Sequence, residues 1–343
     1  MERFQKTILS EHYRVAFRRQ YFTGRRALQA TLNGFLQFYN YERPHRGYWL
    51  NGRPLCRCGG AAPVAQHLFC GSDGRTHPVM NEDDGVVTWH HGLVARWWAN
   101  FNVAGPEIEF FRPFVEAGQP ALDVACGAGR LLVPWVASCL DVDGVDASAD
   151  MVAACRDAAR KVGRNPGLHV QPVHRLDLAR RYGAIVMCGA FGLGGSRDDD
   201  REGLRRMFAH LRPGGRLAID YEVENLDEQW PRPTPSSTPD AGPPPPSERR
   251  LGSDGFEYAL RHRVIEVDRT SRSMVRELKA WQWQAGALVG HEAYRLLINI
   301  WTPAEIVGAL AEAGFEDIHV VGGYHGGEPT GHERFLVYLA RRP

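Results

Sequence analysis

Asp123, Gly127, Gly129 and Asp146 are spaced as parts of one binding apparatus. Residues 120–126 are short and apolar and read as a strand, after which Gly127-Ala128-Gly129 turns into a helix carrying Leu131, Leu132 and Trp135. Glycines at such a turn let the backbone approach a ligand at a helix N-terminus, where N–H groups point outward. Asp123 stands on the strand just before the turn, placed to face a cationic group. Asp146 ends a second strand, 141–146, and follows Gly127 by 19 residues. A carboxylate there can accept both hydroxyls of a ribose. It can also cap the helix that starts near Ser148, and the two roles are compatible.

A dinucleotide turn carries a third glycine, which allows close helix–strand packing beside a pyrophosphate. In Gly127-x-Gly129-x-x-Leu132 that glycine is absent. S-adenosylmethionine, with a cationic amino-acid end and no pyrophosphate, fits better. Over residues 86–343 the chain resembles the class I S-adenosylmethionine-dependent methyltransferases of small-molecule type, whose consensus here is close to LDxGCGxGR; Ala125 replaces the first glycine. The resemblance implies a cofactor site of Asp123, Ala125, Cys126, Gly127, Gly129, Asp146, Ala147, Met151, Val173, His174 and Cys188. Val173 and His174 would lie beside the adenine, and Pro172 stands where relatives commonly have an acid. In that family the segment Gly189–Gly192 borders the methyl group. It has neither an Asp/Asn-Pro-Pro-aromatic motif nor a Pro-Cys pair, which argues against nucleic-acid bases as substrate.

These residues must be positioned by an α/β fold. The expectation is a Rossmann-like seven-stranded sheet with helices on both faces, a small antiparallel sheet on the substrate side, and a mostly helical or irregular N-terminal extension. Helices are expected within 89–116, at 148–160 and at 198–211. Strands are expected at 168–173, 184–188 and 216–221, the last preceded by an Arg212-Pro213-Gly214-Gly215 turn, giving a cofactor half over 118–222. Residues 231–247 hold eight prolines and read as a disordered loop. Alternating runs at 256–267, 273–284 and 287–300 suggest an antiparallel sheet over the site mouth. Thr302-Pro303-Ala304-Glu305 opens a capped helix ending at Gly314, and strands 315–322 and 333–340 close the fold, making 302–341 the final unit.

Methyl transfer from a sulfonium is an in-line displacement that mainly needs alignment and desolvation. A base is required only when the nucleophile arrives protonated, and the candidates are His90, His91, Tyr221, Glu222 and His325. Trp281, Trp283 and Trp301 could line a substrate pocket or surround an amine, though for the first two, which share one strand face, sheet packing is the commoner reason. The reading is a methyltransferase for a small molecule. A non-catalytic S-adenosylmethionine-binding protein and a nucleic-acid-binding protein remain as alternatives. The acceptor atom and the oligomeric state are not legible.

The net charge of +1 hides an asymmetry that bears on the last alternative. Residues 1–79 hold 12 Lys/Arg against 4 Asp/Glu, and residues 80–343 hold 29 against 36. The basic segment carries Glu2-Arg3-Phe4, Thr7 and Glu11, then Tyr39, Asn40, Arg43, Pro44, His45, Gly47 and Tyr48. Over about residues 1–53 it resembles the C-terminal end of a DDE-type integrase or transposase of bacterial insertion sequences. In that family the glutamate matching Glu2 is one of three carboxylates holding two metals, and one carboxylate cannot organise that site. Residues 1–79 therefore read as a transposase remnant, helical over 1–40 and then irregular, with Met80 a candidate start of the second gene and 80–343 the methyltransferase domain. Nucleic acid is not an expected partner.

Seven cysteines do not form a disulfide framework. Cys126, Cys139, Cys155 and Cys188 lie in apolar runs and read as buried thiols. Cys56, Cys58 and Cys70 with His67 or His77 lack the paired spacing of a zinc site, so no metal is expected. No run approaches the roughly 20 apolar residues of a bilayer span, and no signal pattern opens the chain, so the expected location is the cytoplasm.

Overall fold

A computed structural model describes residues 90–222, 233, 242–331 and 333–343. The transposase-like segment 1–79, its helix, the cysteines at 56, 58 and 70, Trp89 and most of the proline-rich stretch lie outside these residues. Of that stretch, Pro244 is buried and Pro246 starts a short 3-10 turn.

Five strands run parallel; the inner ones are buried on both faces, as a parallel sheet covered by helices requires, and the third, at the sheet edge, is half-exposed. They are β1 (Ala121–Val124), β2 (Val142–Asp146), β3 (Leu168–Val170), β4 (Tyr182–Met187) and β5 (Leu211–Glu222). Two later strands, β10 (Glu316–Gly322) and β11 (Phe335–Arg341), complete a seven-stranded sheet of order β10-β11-β5-β4-β1-β2-β3. β11 is antiparallel to both neighbours, and the other pairings are parallel. Leu122 and Val124 of β1 enter one core cluster and Ala121 the other, following the period-two alternation of a strand. The chain leaves β1 in opposite directions to β2 and β4, which puts a crevice at the carboxyl ends of these strands.

Helices cover both faces of the sheet. α1 (Gly92–Phe101) and α2 (Glu107–Glu116) precede it, and α3 (Leu132–Ala137), α4 (Ala149–Lys161) and α5 (Arg197–His210) connect its strands. Ser148 caps α4 by accepting from the Met151 N–H, with Asp150 in the first turn and Arg160 and Lys161 in the last to match the helix dipole. Trp135 of α3 is fully buried and donates to the Ile108 carbonyl of α2 at 3.1 Å. α6 (Pro303–Glu312) opens on a capping box between Thr302 and Glu305 with proline at its first position.

A second sheet runs β6-β7-β8-β9, all antiparallel, from Arg250–Leu251, Glu257–Asp268, Ser273–Gln284 and Ala287–Asn299. The three long strands fall almost on the alternating runs of the sequence. Leu260, Met274, Leu278, Leu296 and Ile298 pack with Leu93, Val94, Trp97 and Trp98 of α1, so this sheet and α1 share one core. A bridge between Leu193 and Ile298 links it to the loop after β4.

Four details differ from expectation. β3 stops at Val170, and Val173–Arg175 is a 3-10 turn, because Pro172 cannot donate to a ladder. The Arg212–Gly215 segment belongs to β5 as an irregular lead-in, where the register against β4 shifts between Tyr182 and Ala184. Residues 333 and 334 precede β11, which starts at Phe335. Cys139 is exposed, at φ 68° in the turn after α3, where it accepts from Arg164 at 2.8 Å.

Candidate active site

The carboxyl ends of the parallel strands and the inner face of the small sheet enclose a cavity of about 700 Å³. Asp123, Ala125, Cys126, Gly127, Asp146, Ala147, Met151, Val173, His174 and Cys188 all line it. Gly129 does not: a Cβ there would meet Val133 Cγ2 at 2.6 Å and Cys155 Sγ at 2.9 Å, so this glycine serves packing beneath the turn.

Asp146 organises the turn from the end of β2. Its Oδ2 accepts from the Gly127 N–H at 2.9 Å and its Oδ1 from the Ser148 N–H at 2.8 Å. Each oxygen retains acceptor capacity, since a carboxylate has about four lone-pair sites. Burial pushes its carboxyl up, and the two N–H groups oppose that. The backbone of Gly127 has φ 53°, and a Cβ there would stand in open space on the cavity wall.

Asp123 is 2% exposed, and its Oδ2 has no hydrogen-bond partner. Burial, and then the charge of Asp146, push its carboxyl well above the usual carboxylate range, with a Leu132 N–H partly opposing. A buried carboxylate held this way at a cavity wall gains from a cation arriving there. Arg130 lines the same end, paired with Glu107 of α2 and 3.6 Å from Cys188 Sγ.

Ala125 occupies the position of the consensus glycine at φ 56°. An L-residue in the left-handed region costs about 1–2 kcal/mol. Ala125→Gly is therefore expected to stabilise the domain by about 0.5–1 kcal/mol after glycine's own entropy cost. Chemical denaturation checks this; an unchanged or lower midpoint would contradict strain at Ala125.

The candidate bases separate. His90 lines the cavity with its ring edge-on to Trp98, and burial, then His91, lower its pKa to about 4. Tyr221 also lines it, but its hydroxyl accepts from the Trp301 N–H at 2.9 Å and donates to the Asn299 carbonyl at 3.4 Å. Glu222 sits at the rim, 2.8 Å from Arg334 in an exposed pair. His91 is not on the cavity wall; its Nδ1 lies 3.4 Å from the Ser148 hydroxyl. His325 is exposed and also off the wall.

Trp281, Trp283 and Trp301 are buried but do not line the cavity. Trp281 and Trp283 cluster with Ala259, the Arg249 guanidinium lies 4.1 Å from the Trp283 ring, and Trp301 donates to Asp200 at 2.9 Å. Trp97 and Trp98 of α1 line it instead, with Leu260, His262, Arg276 and Leu278 of the small sheet. Asp200, also on the wall, has its carboxyl raised by burial to about 6. Asp220 at the end of β5 was not anticipated. The available signal was positional: β1, β2 and β5 each place an aspartate at or near their carboxyl ends.

Residues 121–215 match a methyltransferase domain family. The chain is 31% identical over 131 residues to a dTDP-4-amino-2,3,4,6-tetradeoxy-D-glucose N,N-dimethyltransferase of Saccharopolyspora spinosa, covering 38% of this chain and 50% of that protein. It is 32% identical over 114 residues to a ubiquinone biosynthesis O-methyltransferase of Nitrobacter winogradskyi, covering 33% and 41%. The chain thus spans half or less of these curated relatives. Its fold is that of an S-adenosylmethionine-dependent methyltransferase from Clostridium acetobutylicum, with a TM-score of 0.51 at 16% identity over 65% of this chain and 83% of that one. Among the described residues no helix is long and apolar enough to cross a membrane.

Proposed function

We propose that the region from about residue 86 onward is a methyltransferase that uses S-adenosylmethionine and acts on a small molecule. The observation that carries this is the arrangement of Asp123 and Asp146 on either side of the Gly127 turn, both on the wall of one cavity. The unpartnered Asp123 oxygen suits the cationic amino group of the cofactor, Asp146 suits its ribose hydroxyls, and the open space over Gly127 suits close approach of the ligand. When bound, the cofactor supplies an electrophilic methyl group. The protein's part is to hold the acceptor in line and limit water, and Trp97 and Trp98 of α1 with Leu260, Leu278, Leu296 and Ile298 of the small sheet give the cavity an apolar wall for that. The relatives' names include both an N- and an O-methyltransferase, so they support methylation without selecting the acceptor atom.

Calorimetric titration with S-adenosylmethionine is expected to show binding by the wild-type protein. Asp146→Ala is expected to weaken it at least tenfold, the value of about one charge-assisted hydrogen bond. A wild-type protein that binds no S-adenosylmethionine would falsify this function.

A further inference from the structure

Asp220 is a buried carboxylate that the cofactor pocket does not require. It follows the apolar run Leu217-Ala218-Ile219 near the end of β5, is 1% exposed, and lines the cavity. Three donors converge on it. The Gly189 N–H reaches Oδ1, while the Cys188 thiol, at 2.9 Å, and the Tyr324 hydroxyl both reach Oδ2. Cys188 and Gly189 come from the turn after β4, and Tyr324 from the 3-10 turn after β10. Burial first, and then the Asp220 charge, push the thiol and the phenol up, so both stay protonated and donate. A carboxylate has about four lone-pair sites. Three are taken here, leaving capacity for one more donor.

The charge of the cavity says what that donor is. Asp123, Asp146, Asp199, Asp200, Asp220 and Glu222 line it, whereas its arginines are Arg130, Arg276 and Arg334. Arg130 is already paired with Glu107, and Arg334 with Glu222. A walled site with this balance favours cations. The cofactor's sulfonium and amino group account for part of the excess, and an ammonium on the acceptor accounts for more.

We propose that Asp220 binds the methyl acceptor as an ammonium and takes its proton, so that the acceptor is a basic amine; this rests on the methyltransferase reading above. The carboxylate removes one N–H proton and becomes a carboxylic acid. The nitrogen lone pair so released forms the new N–C bond as the C–S bond breaks, and the electron pair of that bond goes to sulfur. The acid then returns its proton to water. Tyr324 and Cys188 are positioning residues that hold the carboxylate over the Gly189 turn.

Sinefungin tests this without the acceptor in hand. It carries an amine-bearing carbon in place of the S–CH3 group, so its ammonium sits where methyl and acceptor nitrogen meet; S-adenosylhomocysteine lacks that group. Calorimetry on the full chain at neutral pH is expected to give about 10- to 100-fold tighter binding of sinefungin, the range of a hydrogen bond between charged partners. Asp220→Asn is expected to abolish that preference and to leave S-adenosylhomocysteine affinity within about threefold. A purely structural role for Asp220 would lower both affinities together and keep their ratio.

Equal wild-type affinities, or a preference that survives Asp220→Asn, overturns the proposal. Wild-type protein that binds neither ligand overturns the methyltransferase reading itself.

Discussion

Replacing Asp123 by asparagine is expected to raise the melting temperature of the ligand-free protein and, at the same time, to lower its affinity for S-adenosylmethionine on the order of a hundredfold. The two effects have one cause. The Asp123 carboxyl is buried with one oxygen unpartnered, and burial together with Asp146 pushes its pKa well up. A carboxyl whose pKa is higher folded than unfolded contributes stability below the unfolded pKa, and that contribution is lost as pH rises through the folded one. At neutral pH the wild-type protein therefore carries a penalty that an uncharged amide of the same shape largely avoids. A gain of about 1–2 kcal/mol corresponds to roughly 2–8 °C for a domain of this size. The difference between variant and wild type is expected to close as the pH is lowered, because the wild-type carboxyl then takes up its proton. Thermal melts at neutral and acid pH, with calorimetry at neutral pH, check both halves. A variant that melts lower than wild type at neutral pH, or binds the cofactor unchanged, would contradict the assignment of Asp123 as the cation's partner.

The placement of Asp123 and Asp146 on the cavity wall was legible in the sequence because it is local. A glycine turn after a short strand is local, and the acids before and after it fall where the chain must place them. Asp123 and Asp146 could be found by counting. The α6 capping box and the three long strands of the small sheet were also legible, because caps and strand alternation are written within a few residues.

What is not local was not legible. Tyr324 and Asp220 are 104 residues apart and meet only because β11 runs between β5 and β10. Trp281 and Trp283 do share a face, but alternation alone cannot say which face meets the cavity, and theirs is the one turned away from it. The aromatic wall comes instead from Trp97 and Trp98, whose helical spacing looks the same in a core as over a pocket. Arg130 follows Gly129 directly and was within reach, but its partner Glu107 lies on a helix before the sheet begins.

The two glycines of the turn should fail in different ways when substituted, and this separates ligand chemistry from packing. Both have positive φ, 53° at Gly127 and 90° at Gly129, so alanine costs about 1–2 kcal/mol at either. Beyond that shared cost their surroundings diverge. A Cβ on Gly127 meets nothing within 4 Å and stands at the cavity wall, so Gly127→Ala is expected to fold with only that loss. Its methyl would occupy the space where the ligand approaches the turn, and the cofactor affinity is expected to fall at least a hundredfold, about 3 kcal/mol. A Cβ on Gly129 would lie 2.6 Å from Val133 Cγ2 and 2.9 Å from Cys155 Sγ, between α3 and α4. Overpacking of that kind typically adds about 1–3 kcal/mol, so Gly129→Ala is expected to be the less stable protein by that amount. At a temperature where it is still folded, its affinity is expected to suffer less than that of Gly127→Ala, because the new methyl points into the core. Denaturation midpoints and calorimetric affinities for the two variants, measured side by side, give four numbers. If the stability loss were larger at Gly127, or the affinity loss larger at Gly129, the ligand would not lie over the Gly127 turn, and the placement of the cofactor between Asp123 and Asp146 would fall with it.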